Sequence, residues 1–122
     1  ALKESIKFIN EIGKEKITHH EDTLKDYAIE ILKKNNAVQF VGSPKEQGSV
    51  FSFNIKNIHS HDVSTIFDQD GVAVRGGHHC CQILHERLKL NSSVRVSFGV
   101  YNNKDDILVL DNVIKKCQKI FE

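Results

Sequence analysis

The six residues Val50-Phe51-Ser52-Phe53-Asn54-Ile55 decide the fold class. After the first step they alternate apolar with polar, the period of a strand that buries one face. The residues before them keep a different period. Ile17, Leu24, Ala28, Ile31 and Leu32 are spaced for one face of a helix of about five turns, ending near Asn35-Asn36. Ahead of that, Leu2, Ile6, Phe8, Ile9 and Ile12 fall largely on one helical face, and Gly13 stops it. Ala37 to Val41 is short, apolar and β-rich, and Gly42-Ser43-Pro44 with Gly48 reads as a loop.

Downstream, His59-Ser60-His61-Asp62 leads into Val63, Ile66 and Phe67, a short helix capped by Asp62 or Ser60. Asp70-Gly71 is a turn, and Val72-Ala73-Val74 is predicted as a short strand. Arg75 to Cys81 reads as a loop without apolar periodicity. Ile83, Leu84 and Leu88 suggest a short helix, and Val94 to Val100 a strand. After the turn Tyr101-Asn102-Asn103, a last helix carries Ile107, Leu108, Leu110, Ile114 and Cys117 and reaches Phe121. This order predicts one α+β domain over residues 1–122. Its sheet has three to four mostly antiparallel strands covered by helices on one face.

The 122 residues suffice for one small core, and 39% apolar with 27% charged residues is ordinary for a folded domain. A net charge of +1 argues against a polybasic nucleic-acid binder. No apolar run approaches the roughly 18 residues of a membrane helix. Three cysteines, an odd number, speak against a disulfide framework and for a reducing cytoplasm. The chain opens without Met and inside a helical pattern, which predicts a piece of something longer.

Chemistry concentrates at Arg75-Gly76-Gly77-His78-His79-Cys80-Cys81. Lysine outnumbers arginine fourteen to three, yet Arg75 and Arg95 flank this loop and its helix. Arginine there suits a bidentate grip on a carboxylate. Three readings of Cys80 stand side by side. It is a reactive thiolate, favoured by flexible glycines, two histidines and Arg75. It belongs to a zinc site drawn from His59, His61, His78, His79, Cys80 and Cys81, although contiguous His-His-Cys-Cys is poor ligand spacing. Or Cys80 and Cys81 are small buried hydrophobes. His19-His20-Glu21-Asp22 reads chiefly as a solvated helix face with a minor metal alternative. Cys117 reads as core and Arg87 as surface.

Gly71-Val72-Ala73-Val74-Arg75-Gly76-Gly77-His78-His79-Cys80 resembles the active-site cysteine loop of the SufS-type, NifS-like cysteine desulfurases and selenocysteine lyases, within the class V aminotransferases. Phe51-Ser52-Phe53-Asn54, His61-Asp62-Val63 with Phe67-Asp68, Arg95-Val96-Ser97-Phe98 and Tyr101-Asn102 are similar to further family segments, so the resemblance covers essentially the whole chain. It implies the C-terminal small domain of a fold-type I pyridoxal-phosphate enzyme of about 400 residues that takes sulfur from L-cysteine and releases alanine. The sulfur serves iron–sulfur cluster assembly. By that resemblance Cys80 is the nucleophile that becomes a persulfide, and Arg95 anchors the substrate carboxylate. Arg75 and His79 shape the site around the thiolate, and His61 matches a histidine near the site mouth. The cofactor lysine and its Ser-x-His-Lys-type motif are expected on a separate large domain, so the fragment alone is expected to be inert and to bind no pyridoxal phosphate or metal. A sulfur-acceptor protein and a homodimer of the full-length enzyme are the implied partners. Selenocysteine lyase activity, or a standalone thiol- or metal-binding module, is the alternative. Three positions depart from the family pattern: Cys81 replaces a usual Ala, Ile83 a common Pro and Asn103 a common Thr.

Overall fold

The computed structural model describes residues 1–42, 44 and 47–121. Ser43, within the expected loop, lies outside the described residues. The chain runs α1 (Leu2–Ile12), α2 (Lys14–Leu32), β1 (Val38–Phe40), β2 (Val50–Ile55), α3 (Ser60–Gln69), β3 (Arg75–Gly77), α4 (Gln82–Arg87), β4 (Ser93–Ser97) and α5 (Lys104–Phe121). The four strands form one antiparallel sheet in the order β1-β2-β4-β3. This is the expected α+β architecture.

Alternation does the sorting. Phe51 pairs with Val96 and Phe53 with Val94, and all four are buried. With Ile55 they form the sheet's inner face. Onto it pack Leu24, Ala28 and Leu32 of α2, Val63 and Phe67 of α3, and Ile107, Leu110, Ile114 and Cys117 of α5. Ser52 and Arg95 are the intervening partners and therefore point to the opposite face. Arg75 pairs directly with Arg95, so both guanidinium side chains rise from this second face, opposite α2, α3 and α5.

Three local expectations need correction, and α4 forms the expected short helix but with its apolar side chains outward. Val72-Ala73-Val74 is not a strand. Val72 N–H is taken by Phe67 O at the end of α3, Val72 and Val74 pack on the core, and the ladder to β4 begins only at Arg75. The strand expected to reach Val100 ends at Ser97, because Gly99 N–H turns to Asn102 Oδ1. The cap of α3 is His59, whose ring Nδ1 accepts from His61 N–H at 3.2 Å. In α4 the apolar residues face outward: Ile83 is 82% exposed, while His85 is the buried one.

Gly76 explains how β3 sits so close to α3. A Cβ there would lie 2.8 Å from Ser64 Oγ and 3.1 Å from the Ser60 carbonyl oxygen. At the other end of the molecule, α1 buries no side chain. Its Phe8 stacks on Tyr101 at 6.3 Å, beside a cleft of about 790 Å³ that Ile17 and Val100 also line.

Candidate active site

Gly77 leaves β3 with φ 127°, and the chain then reverses. Cys81 N–H donates to His78 O at 2.9 Å. The two residues between them, His79 (φ 55°) and Cys80 (φ 60°), are both left-handed, as in the mirror-image turn types. The backbone at His79 and Cys80 is therefore not extended. Left-handed backbone costs roughly 1–2 kcal/mol per non-glycine residue and persists only where the surroundings over-determine it.

Those surroundings are specific. His78 Nε2–H donates to Asn91 O at 2.8 Å, tying the turn to the segment before β4. His79 Nε2 lies 3.1 Å from Ser93 Oγ on β4. Cys81 turns its thiol back on the turn, donating to His78 O at 3.0 Å. Cys80 is exposed, and Arg75 Nη2 donates to its Sγ at 3.6 Å. Among the described residues neither Arg75 nor Arg95 forms an ion pair. Two like charges face each other across a strand pair, an arrangement that destabilises the sheet on its own and suits an anion.

His79 is half-buried. Burial first, then the charges of Arg95, His85 and Arg75, hold its pKa below the usual imidazole value of 6.5, outweighing a hydrogen bond to Ser93. Its ring is thus uncharged near neutral pH. Cys117 is fully buried in the core, where burial and the nearby Asp62 carboxylate push its thiol pKa up.

The structure thus brings Arg75, His79, Cys80 and Arg95 to one edge of the sheet. His61 lies apart at the exposed start of α3, and His59 reaches Ser92 Oγ at 3.4 Å. Of the four side chains His19-His20-Glu21-Asp22 on α2, three are used separately. His20 Nε2–H donates to Asn102 O, Glu21 accepts from Ser49, and Asp22 accepts from Lys25. Among the described residues no three His, Cys, Asp or Glu side chains converge as a metal site. Sequence reasoning missed His85 and Ser93. The one available signal was a histidine set inside the apolar pattern Ile83, Leu84, Leu88.

The family model described as aminotransferase class-V matches residues 1–110. A probable cysteine desulfurase of Staphylococcus aureus strain Mu50 is 40% identical over 121 residues, 98% of this chain and 29% of that protein. One of Halobacterium salinarum is 38% identical over 122 residues, 99% of this chain and again 29% of the relative. The chain thus spans less than a third of these relatives' length. The solved apo structure of a cysteine desulfurase from Thermococcus onnurineus superimposes with a TM-score of 0.88 at 33% identity, covering 93% of this chain and 29% of that one. A cysteine desulfurase from Escherichia coli, 23% identical with a TM-score of 0.85 over 93% of this chain and 28% of its own, shares the fold.

Proposed function

Because the chain belongs to the aminotransferase class-V family, we propose that residues 1–122 are the C-terminal small domain of a pyridoxal-phosphate-dependent cysteine desulfurase. The full-length enzyme, a cytoplasmic homodimer, takes sulfur from L-cysteine onto Cys80 and passes it to a sulfur-acceptor protein for iron–sulfur cluster assembly. The observation that carries this reading is the contact between Arg75 and Cys80. An exposed thiol lies 3.6 Å from a guanidinium without an ion-pair partner among the described residues. A permanent positive charge at that distance stabilises negative charge on the sulfur, which nucleophilic attack requires.

The reading places the pyridoxal ring outside this chain. The loop from Arg75 to Cys81 contains no lysine, and Lys25 on α2 is held by Asp22 and the Gln47 carbonyl. The cofactor belongs to the rest of the full-length protein, where it supplies an electron sink for the substrate carbon. This chain's part is the sulfur transfer. The Cys80 sulfur attacks the substrate sulfur, a sulfur–sulfur bond forms, and the carbon–sulfur bond breaks. Its electron pair stays with carbon, which takes up a proton to become the methyl group of alanine. Arg95 grips the substrate carboxylate through its planar fork, and Arg75 and His79 keep the thiolate's surroundings in place.

Exposure of the full-length protein to L-cysteine, followed by mass mapping, tests this. Cys80→Ala removes both persulfide and alanine, and Cys81→Ala leaves both largely intact. Sulfur found first on Cys81, or activity surviving Cys80→Ala, overturns the assignment. Turnover of selenocysteine that persists in Cys80→Ala would reassign the enzyme as a selenocysteine lyase.

A further inference from the structure

Three side chains distant in sequence meet behind the Cys80 turn. Ser93 is fully buried on β4, with its Oγ 2.9 Å from His85 Nε2 and 3.1 Å from His79 Nε2. His85, itself buried, has Nδ1 3.1 Å from the Cys81 carbonyl oxygen. The order of protons follows by elimination. A carbonyl only accepts, so His85 Nδ1 carries its hydrogen, and, with that single hydrogen on the ring, Nε2 is an acceptor. The Ser93 hydroxyl donates to it. The Ser93 oxygen in turn accepts from His79 Nε2–H. His79 Nδ1 is left as a bare lone pair, and that atom is buried without a hydrogen-bond partner. The reverse order would bury an unpartnered N–H there, which folded proteins avoid more strictly than an unpartnered acceptor.

We propose that Ser93 and His85 are positioning residues that lock His79 in its Nε2–H tautomer and thereby clamp the left-handed turn that presents Cys80. The turn is strained at two consecutive residues and needs anchors on both sides. His78 on the Asn91 carbonyl is one anchor, and His79 on Ser93 is the other. The charged and titratable groups facing His79 are Arg95 from β4, Arg75 from β3 and His85 from α4. A proton on Nδ1 would add a charge among them with no acceptor to receive it, so the relay also keeps the ring neutral. The consequence for turnover rests on the reading of Cys80 as nucleophile, whereas the tautomer does not.

The test uses full-length protein labelled with ¹⁵N-histidine. In the parent protein, His79 shows a pyrrole-type Nε2 and a pyridine-type Nδ1. His85→Phe frees the Ser93 proton for His79 Nε2 and shifts the ring toward the Nδ1–H tautomer. His85→Gln, whose amide oxygen replaces the lost acceptor, restores Nε2–H. Ser93→Ala abolishes the preference and lowers kcat for persulfide formation about fivefold, the worth of one neutral hydrogen bond, with KM unchanged. A protonated Nδ1 in the parent protein, or a tautomer unmoved by both Ser93→Ala and His85→Phe, overturns the proposal. Activity surviving Cys80→Ala would instead sink the functional reading while leaving the tautomer assignment standing.

Discussion

Replacing Gly76 by alanine tests whether β3 is placed by its contact with α3. The new Cβ would lie 2.8 Å from Ser64 Oγ, 3.1 Å from the Ser60 carbonyl oxygen and 3.4 Å from Ser64 Cβ. The Ser64 hydroxyl has to rotate away, and it then loses its 2.9 Å hydrogen bond to His61 O. That loss costs about 1 kcal/mol. The Ser60 carbonyl is backbone and must still give by a few tenths of an ångström, an overpacking cost of about 1–3 kcal/mol. The smaller entropy of the unfolded alanine chain returns roughly 0.4–1 kcal/mol. A net loss of about 1–3 kcal/mol results. Urea titration of the purified chain, followed by far-ultraviolet circular dichroism, measures it. Adding Ser64→Ala removes the nearest clashing atom, so the double variant should be more stable than the sum of the single changes, a coupling a double-mutant cycle reads directly. A neutral or stabilising Gly76→Ala, or strict additivity with Ser64→Ala, would refute the packing argument. Gly77→Ala is the contrast: nothing lies within 4 Å of its Cβ, and its cost arises from φ 127° alone, with no dependence on Ser64.

Arg95→Lys in the full-length enzyme replaces a planar fork by a point charge and should lower kcat/KM for L-cysteine about 30- to 150-fold, with a loss under threefold removing Arg95 as carboxylate anchor. Cys117, fully buried with a raised thiol pKa, should resist iodoacetamide in folded protein and react only on unfolding, whereas exposed Cys80 is alkylated at once, as peptide mass mapping will show. The lowered pKa of His79 gives pH-dependent stability of definite sign. Below about pH 6.5 the unfolded ring takes up a proton that the folded ring resists. This contribution is therefore full above 6.5 and is lost as pH falls toward the lowered folded value. Denaturation midpoints measured on both sides of that pH should converge in His79→Gln, and an unchanged pH dependence would contradict the cause assigned.

The pattern of Val50–Ile55 was sufficient to predict a half-buried strand, and of the apolar residues read for the last helix Ile107, Leu110, Ile114 and Cys117 form the inner stripe of α5 while Leu108 is exposed. Both signals are periods within one element, and burial of one face enforces them. The Cys80 loop was legible for another reason: its chemistry-bearing residues, from Arg75 to Cys80, are consecutive. What lies across elements was not legible. That the third strand is Arg75-Gly76-Gly77, rather than the more β-prone Val72-Ala73-Val74, is decided by hydrogen-bond register with β4 and by α3 taking the Val72 N–H. The outward Ile83 and inward His85 reverse the hydrophobic expectation for α4, because Ser93 and the Cys81 carbonyl satisfy the imidazole on both sides. Ser93 stands 14 residues from His79 and 8 from His85. No local period links such positions. Only the antiparallel pairing of β3 with β4, which brings Gly77 opposite Ser93, sets the hydroxyl between the two rings and holds the strained turn at Cys80.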